Sequence, residues 1–319
     1  MATVTSSQTP VTRAPVRRML STIFAGAGWM VLIVFAMLEI FPFVFTVANS
    51  FKCLPAVQTY PRALIPLPPY GVSCESAEGA PKSPGAVANT TTFNPTLEGY
   101  REMMDAKMPR WLFNTVFFAV VITILRLAFD SMAGYALARL KFVGNRVLFF
   151  AILGTMMVPP IVLLIPRFII LKQFSILNTY QGLIIPLCVD AFGIFLMKQF
   201  FESIPSEMEE AAMVDGASRF TMFLRVVLPM ATPALTALAI FSFQGTWNDF
   251  LMPLIILSGN SSLWTLPLGL SYMRGAFGET LRWHTFLAGS VVTTLPLALI
   301  FFYFQRYFVE GISYSGLKG

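Results

Sequence analysis

Six apolar stretches, at 19–48, 112–136, 147–171, 181–203, 229–257 and 286–308, set the terms on which this 319-residue chain can fold. A hydrocarbon layer about 30 Å thick is crossed by ~20 apolar residues in a helix. It offers no water to unpaired backbone groups, so such stretches adopt the helix, which satisfies its own. Composition agrees: the chain is 56% hydrophobic and 12% charged, where soluble domains sit near ~45–50% and ~25%. The expected fold class is all-α, a polytopic membrane protein of six transmembrane helices. The first stretch is too long for a signal-peptide core and has no A-x-A cleavage site, so it is expected to remain as the first span.

The polar parts divide the chain further. Residues 1–18 form a tail carrying Arg13, Arg17 and Arg18, a positive anchor ahead of the first span. Residues 49–110 form the longest polar segment, and its Pro-, Gly- and Ser-rich middle, 55–95, is expected to be irregular. Cys53 and Cys74 either pair there or remain thiols. Pro159, Pro160 and Pro166 must kink or break the third span. Several polar groups fall inside spans. Arg126 and Asp130, at i and i+4, can pair along one helix face. Glu39, Asp190, Asn248 and Asp249 either line a cavity or bond between helices.

Much chemistry is excluded. There is no G-x-x-x-x-G-K-[ST], so no phosphate-cradling loop, and no G-x-S-x-G or H-E-x-x-H. His284 is the only histidine, expected to be solvated or hydrogen-bonded, and the three cysteines show no metal-ligand spacing. The net charge of +6 is scattered between spans rather than gathered into a nucleic-acid surface. No enzyme and no cofactor is expected on this chain.

The one polar passage with internal order is Ser206–Pro229, SEMEEAAMVDGASRFTMFLRVVLP. Ser206 and Glu209 have the spacing of a capping box. A short helix should run from about Glu207 to Val214 and stop at Asp215-Gly216, where Gly takes a left-handed cap at least cost. A second helix should start near Ser218, with Phe220, Phe223, Leu224 and Val227 as one apolar stripe. The passage reads as a rigid helix–turn–helix at the membrane surface.

Letter by letter it is Glu210-Ala211-Ala212, three residues, Gly216, nine residues, Val226, one residue, Leu228-Pro229. That resembles the EAA loop of ABC-importer permeases, with Val226 where the family usually has Ile. Further stretches resemble the carbohydrate-uptake branch, in the subunit similar to the smaller permease of the maltose transporter. They are Ala133–Arg139 (AGYALAR), Gly193–Leu196 (GIFL), Thr246–Phe250 (TWNDF), Thr265–Leu270 (TLPLGL) and Gln305–Gly311 (QRYFVEG). The final Gly311–Gly319 is similar to that subunit's Gly-rich tail, and the Pro-rich insert at 55–95 departs from the family.

The resemblance implies a heteromeric importer in the plasma (inner) membrane. Its partners would be a second related permease, an ATPase dimer holding ATP and Mg, an extracytoplasmic solute-binding protein and the membrane lipids. The domain layout would be a cytoplasmic tail (1–18), a permease domain (19–310) and a cytoplasmic C-terminal tail (311–319). Within the permease domain, 49–110 would be extracytoplasmic and 204–228 a cytoplasmic coupling loop. Glu209, Glu210, Ala211, Ala212, Asp215, Gly216 and Pro229 would couple to the ATPase. Ser315, Gly316 and Lys318 of the tail would touch it as well. Asn248, Asp249 and Asp190 are the candidate cavity-lining residues. The outer segments 49–110 and 259–287, the second carrying Trp264, Tyr272, Phe277 and Trp283, would receive the binding protein. Charge favours cytoplasmic ends only slightly, because the long outer segment carries basic residues too; the coupling loop decides that orientation. A different class of function, a self-contained channel or secondary carrier, would use Glu39, Arg126, Asp130 and Asp190 as an ion relay.

Overall fold

The computed structural model describes residues 14–59, 95–105, 107–275 and 282–316, and every regular element among them is helical. In chain order these are α1 (Ala14–Ser50), α2 (Leu54–Thr59), α3 (Glu98–Asp105), α4 (Met108–Arg139), α5 (Asn145–Met156), α6 (Leu164–Gln173), α7 (Tyr180–Ile184) and α8 (Ala191–Ser203). There follow α9 (Glu207–Val214), α10 (Arg219–Met222), α11 (Leu228–Met230), α12 (Thr232–Trp247), α13 (Leu251–Ile256), α14 (Leu266–Gly275) and α15 (Trp283–Gly316). Four segments are long and apolar enough to cross a membrane, Gly26–Ser50, Met108–Arg139, Tyr180–Ser203 and Trp283–Phe304, and two bent pairs would raise the number to six.

The bends fall where proline removes a backbone donor. The pair Asn145–Met156 and Pro160–Gln173 meets at 98°, at the Pro159-Pro160 break expected from sequence. The pair Arg219–Met230 and Thr232–Trp247 meets at 81°. There Pro233 cannot bond back to the Pro229 carbonyl, and the Thr232 hydroxyl donates to that carbonyl instead, at 2.6 Å. The stretch expected as a continuous fifth span, 229–257, is therefore not one helix. Its first two residues belong to the element before the bend, and its far end breaks at Asn248-Asp249 before α13.

Helix α4 is the central element, packed on both α8 and α12. Its contact with α8 is close because Gly134 has no side chain: a Cβ there would lie 2.8 Å from the Met197 Cβ and 2.9 Å from the Lys198 nitrogen. Apolar clusters occupy both ends of α4. Toward its start, Phe118 and Ile122 pack with Leu171, Leu183, Met252 and Leu268. Toward its end, Tyr135 packs with Met197, Phe201, Met222, Phe223 and Val227. Burial of such side chains contributes roughly 1.5–3 kcal/mol apiece in water. In lipid, close packing and interhelical hydrogen bonds carry more of the load.

Two of those bonds correct the sequence reading of Arg126 and Asp130. They do not pair along α4. The Arg126 Nε–H donates to the Leu187 carbonyl at 2.8 Å, and the Asp130 carboxylate accepts the Asp190 N–H at 3.0 Å. Both bonds cross from α4 to the α7–α8 junction, where Ile185–Leu187 form a 3-10 turn and leave backbone groups free. Glu39 lies exposed on α1, which packs on α15, so these four charges form no contiguous relay.

Of the long polar segment's middle, expected to be irregular, 60–94 lie outside the described residues. α2 and α3 sit at the segment's two ends, and α3 packs on α15. Cys53 is fully buried and disulfide-bonded, while Cys74 lies outside the described residues. Helix α15 continues through Gly316, and Lys318 lies outside the described residues.

Candidate functional site

The passage between α8 and α12 folds as two short helical arms around one sharp turn. α9 spans Glu207–Val214, as the residues predict. It ends in a paired motif: the Gly216 N–H donates to the Met213 carbonyl at 3.0 Å and the Ala217 N–H to the Ala212 carbonyl at 2.9 Å. This Schellman arrangement needs a left-handed residue, and Gly216 supplies it at φ +79°. The second arm opens with a side-chain cap, Ser218 Oγ accepting the Thr221 N–H at 3.2 Å. It continues through α10 and a π-helical turn, Phe223–Val227, into α11.

The expected capping box does not form. Ser206 has helical dihedrals and makes no side-chain cap; its carbonyl accepts the N–H groups of Glu209 and Glu210, each at 3.0 Å. Glu209 turns inward, its oxygen 2.9 Å from the Arg139 Nε. A second guanidinium nitrogen is also occupied. Nη2 donates to the Phe201 carbonyl at 2.6 Å and to the Ile204 carbonyl. Arg139 therefore joins three pieces: the last turn of α4, the open carbonyls at the end of α8, and the first turn of α9. A planar guanidinium suits that geometry, since it presents several donors in one fixed fork.

This arrangement sorts the expected coupling residues. Glu209 is 5% exposed and committed within the chain, so it is a positioning residue. Ala212 is partly buried against the cluster of Tyr135, Phe201 and Phe223. Glu210, Ala211, Asp215, Gly216 and Pro229 are exposed. The expected amphipathic stripe is divided: Phe223 and Val227 are buried with Met222, whereas Phe220 and Leu224 face out. The π-helical turn shifts the register by one residue per turn, so a 3.6-residue period misplaces the face.

The Ala133–Arg139 stretch explains itself on the same geometry. Gly134 lets α8 approach, Tyr135 packs on the rings of Phe201 and Phe223, and Arg139 makes the clamp. From the sequence alone Arg139 stands out only as the last residue of a stretch that resembles the family. Its partner Glu209 shares a helix face with Ala212, the one signal that this acid points inward.

The candidate cavity residues are not brought together. Asp190 caps α8, its Oδ2 accepting the Gly193 N–H at 3.3 Å. Asp249 accepts the Met252 N–H at 3.3 Å at the start of α13. Asn248 alone opens onto a cleft between α1, α12 and α15. Beside it Trp247 is buried and donates from Nε1 to the Thr293 carbonyl at 3.1 Å, which fixes α12 against α15.

At the start of α15 a charged cluster holds α3. Glu102 Oε2 lies 3.0 Å from His284 Nε2 and 3.1 Å from Arg282 Nη1, and accepts the Thr285 hydroxyl at 2.8 Å. Burial opposes ionisation of Glu102, but the Thr285 hydroxyl, His284 and Arg282 together hold its carboxyl below the usual range. Glu98 completes a trio of ligand-type atoms within 4.8 Å. The shared oxygen is already engaged by three donors, so the cluster acts as a tether. Of the expected docking aromatics, Trp264 stacks on Tyr272 at 4.1 Å, and Phe277 lies outside the described residues.

Residues 130–314, from the buried aspartate of α4 to the end of α15, match the family described as binding-protein-dependent transport system inner membrane component. The chain belongs to this family. It is therefore an ABC-importer permease, a membrane transport subunit and not an enzyme. The permease is 37% identical over 209 residues to the arabinooligosaccharides transport system permease AraQ of Halalkalibacterium halodurans, covering 66% of this chain and 74% of that one. It is 32% identical over 232 residues to the trehalose/maltose transport system permease MalG of Thermococcus litoralis, covering 71% and 83%. Its fold matches a chain of a bacterial ABC transporter that imports the acidic polysaccharide alginate, with a TM-score of 0.73 at 23% identity, over 94% of this chain and 100% of that one.

The clamp makes a stability prediction. Arg139→Ala strands the buried Glu209 carboxylate and the Ile204 carbonyl, a class of change that costs about 3–5 kcal/mol. Glu209→Gln keeps an acceptor for Arg139 and should cost roughly 1 kcal/mol. Thermal unfolding of the purified permease in detergent should rank Arg139→Ala well below Glu209→Gln. Equal midpoints for the two variants and the parent would show that the clamp carries no load.

Proposed function

We propose that this permease forms half of the translocation pathway of an ATP-driven importer for a sugar, oligosaccharide or related polyol. A solute-binding protein would deliver the substrate, a second related permease would supply the other half, and an ATPase dimer would bind ATP and Mg. The observation that carries this reading is the clamped α9. Its inner face is held by Arg139 while Glu210, Ala211, Asp215 and Gly216 form a free edge. At ~1.5 Å per residue α9 is roughly 12 Å long, enough to fill one cleft on a partner. Ala211 permits close approach there and Glu210 meets a basic group.

The sugar assignment is supported by the relatives, which the names describe as permeases for arabinooligosaccharides and for trehalose/maltose. On this reading each bent pair counts as one span, giving six, and the 204–228 loop and both chain ends are cytoplasmic. The segments 49–110 and 259–287 then face the binding protein. Helix α15 runs on to Gly316, eight residues past 308, where the apolar stretch ends. That is about 12 Å, which suits contact between Ser315, Gly316 and Lys318 and the ATPase.

Two measurements test the coupling. A Cβ at Gly216 meets nothing within 4 Å, so Gly216→Val acts through backbone strain alone, about 1–2 kcal/mol for a side chain in the left-handed region. In the purified complex reconstituted in proteoliposomes, Gly216→Val and Glu210→Lys should both insert normally, yet import less than a tenth as fast as the parent. Wild-type import and ATP hydrolysis by both would reduce the 206–229 passage to a surface loop. A cysteine placed at Ser315 should cross-link to the ATPase; labelling only by lipid-phase reagents would exclude the tail contact.

A further inference from the structure

The cleft between α1, α12 and α15 has a volume of about 960 Å³, within the size range of small-molecule sites. Its lining joins the polar side chains of Thr46, Gln244, Asn248 and Thr294 to rings such as Phe243 and Phe301. Among the described residues, no charged side chain lines it.

Gln244 and Asn248 are one helical turn apart, so both amides project from the same face of α12. Both are exposed to the cleft, and neither side-chain amide finds a hydrogen-bond partner among the described residues. The hydroxyls of Thr46 and Thr294 donate to the Pro42 and Ser290 carbonyls, at 2.8 Å each, which leaves their oxygens to accept. Trp247, between the amides in sequence, is buried and bonded to α15. It therefore fixes the rotation of α12 that presents them.

Unspent amides inside a span are costly unless something uses them. An amide offers donors and acceptors together, which matches a hydroxyl group. An anion in the same cleft would be drawn out of water with no cation to meet it. We infer that this cleft is a substrate-contacting segment of the pathway, selective for a neutral polyhydroxylated compound over an acidic or phosphorylated one, with Gln244 and Asn248 as its hydrogen-bonding residues. This rests on the importer reading above and adds to it a direct role for this subunit in choosing substrate.

The test uses the full importer in proteoliposomes with saturating binding protein. Labelled maltotriose, arabinotriose and trehalose serve as neutral probes, with glycerol 3-phosphate and a uronate trisaccharide as anionic ones. The parent should import a neutral probe and neither anion. Gln244→Ala and Asn248→Ala should each lower the maximal rate about three- to tenfold, the loss expected for one uncharged hydrogen bond. Co-purification of the second permease and the ATPase should be unchanged. Import of an anion, or wild-type rates in both variants, would overturn the cleft assignment while leaving the importer reading intact. Loss of the second permease on purification would overturn it too, by showing that the amides bind a neighbouring helix. Failure of the parent to import any probe in an ATP-dependent manner would instead count against the importer reading itself.

Discussion

The placing of α9 on the body of this permease depends on one guanidinium. Arg139 ends α4, receives the open carbonyls that end α8, and holds Glu209 at the start of α9. Without it three helix ends would meet with unsatisfied groups turned toward one another. With it, α9 is joined to α4 and α8, which pack closely on each other; in the proposed coupling role, a push on the exposed edge at Glu210 and Ala211 would reach both as a unit.

The second rod in the mechanism is α12. Its start lies beyond the 81° bend that closes the α10–α11 arm, and its end presents Gln244 and Asn248 to the cleft beside α15. Sixteen residues separate the two ends, roughly 24 Å of helix. The same short helix thus connects the surface proposed to meet the ATPase with the surface proposed to meet substrate. Trp247 fixes the far end and the Thr232–Pro229 bond the near one, so α12 is held at both points.

What could be read from the residues follows what local physics determines. The helical class and the Pro159-Pro160 break follow from hydropathy and a missing donor, and the left-handed turn at Gly216 from the absence of a Cβ. The misplaced features needed contacts between residues far apart in sequence. Glu209 has the spacing of a capping box, yet a half-buried arginine seventy positions earlier outcompetes the local bond. Arg126 and Asp130 lie one turn apart, yet the frayed backbone between α7 and α8 offers each a better partner. The stripe at Phe220–Val227 was drawn with a period of 3.6, and a π-helical turn alters that period. Asp190 and Asp249 sit at membrane depth because they cap helices, a role only the start points of α8 and α13 reveal.

The most direct test of the clamp is ATP hydrolysis by the reconstituted importer carrying Arg139→Lys, with and without loaded binding protein. Lysine keeps the charge opposite Glu209 but cannot reach three acceptors at once. The account predicts an assembled complex whose basal hydrolysis persists while stimulation by loaded binding protein falls severalfold. Full stimulation with wild-type import would contradict it, since α9 would then transmit its motion without being tied to α4 and α8.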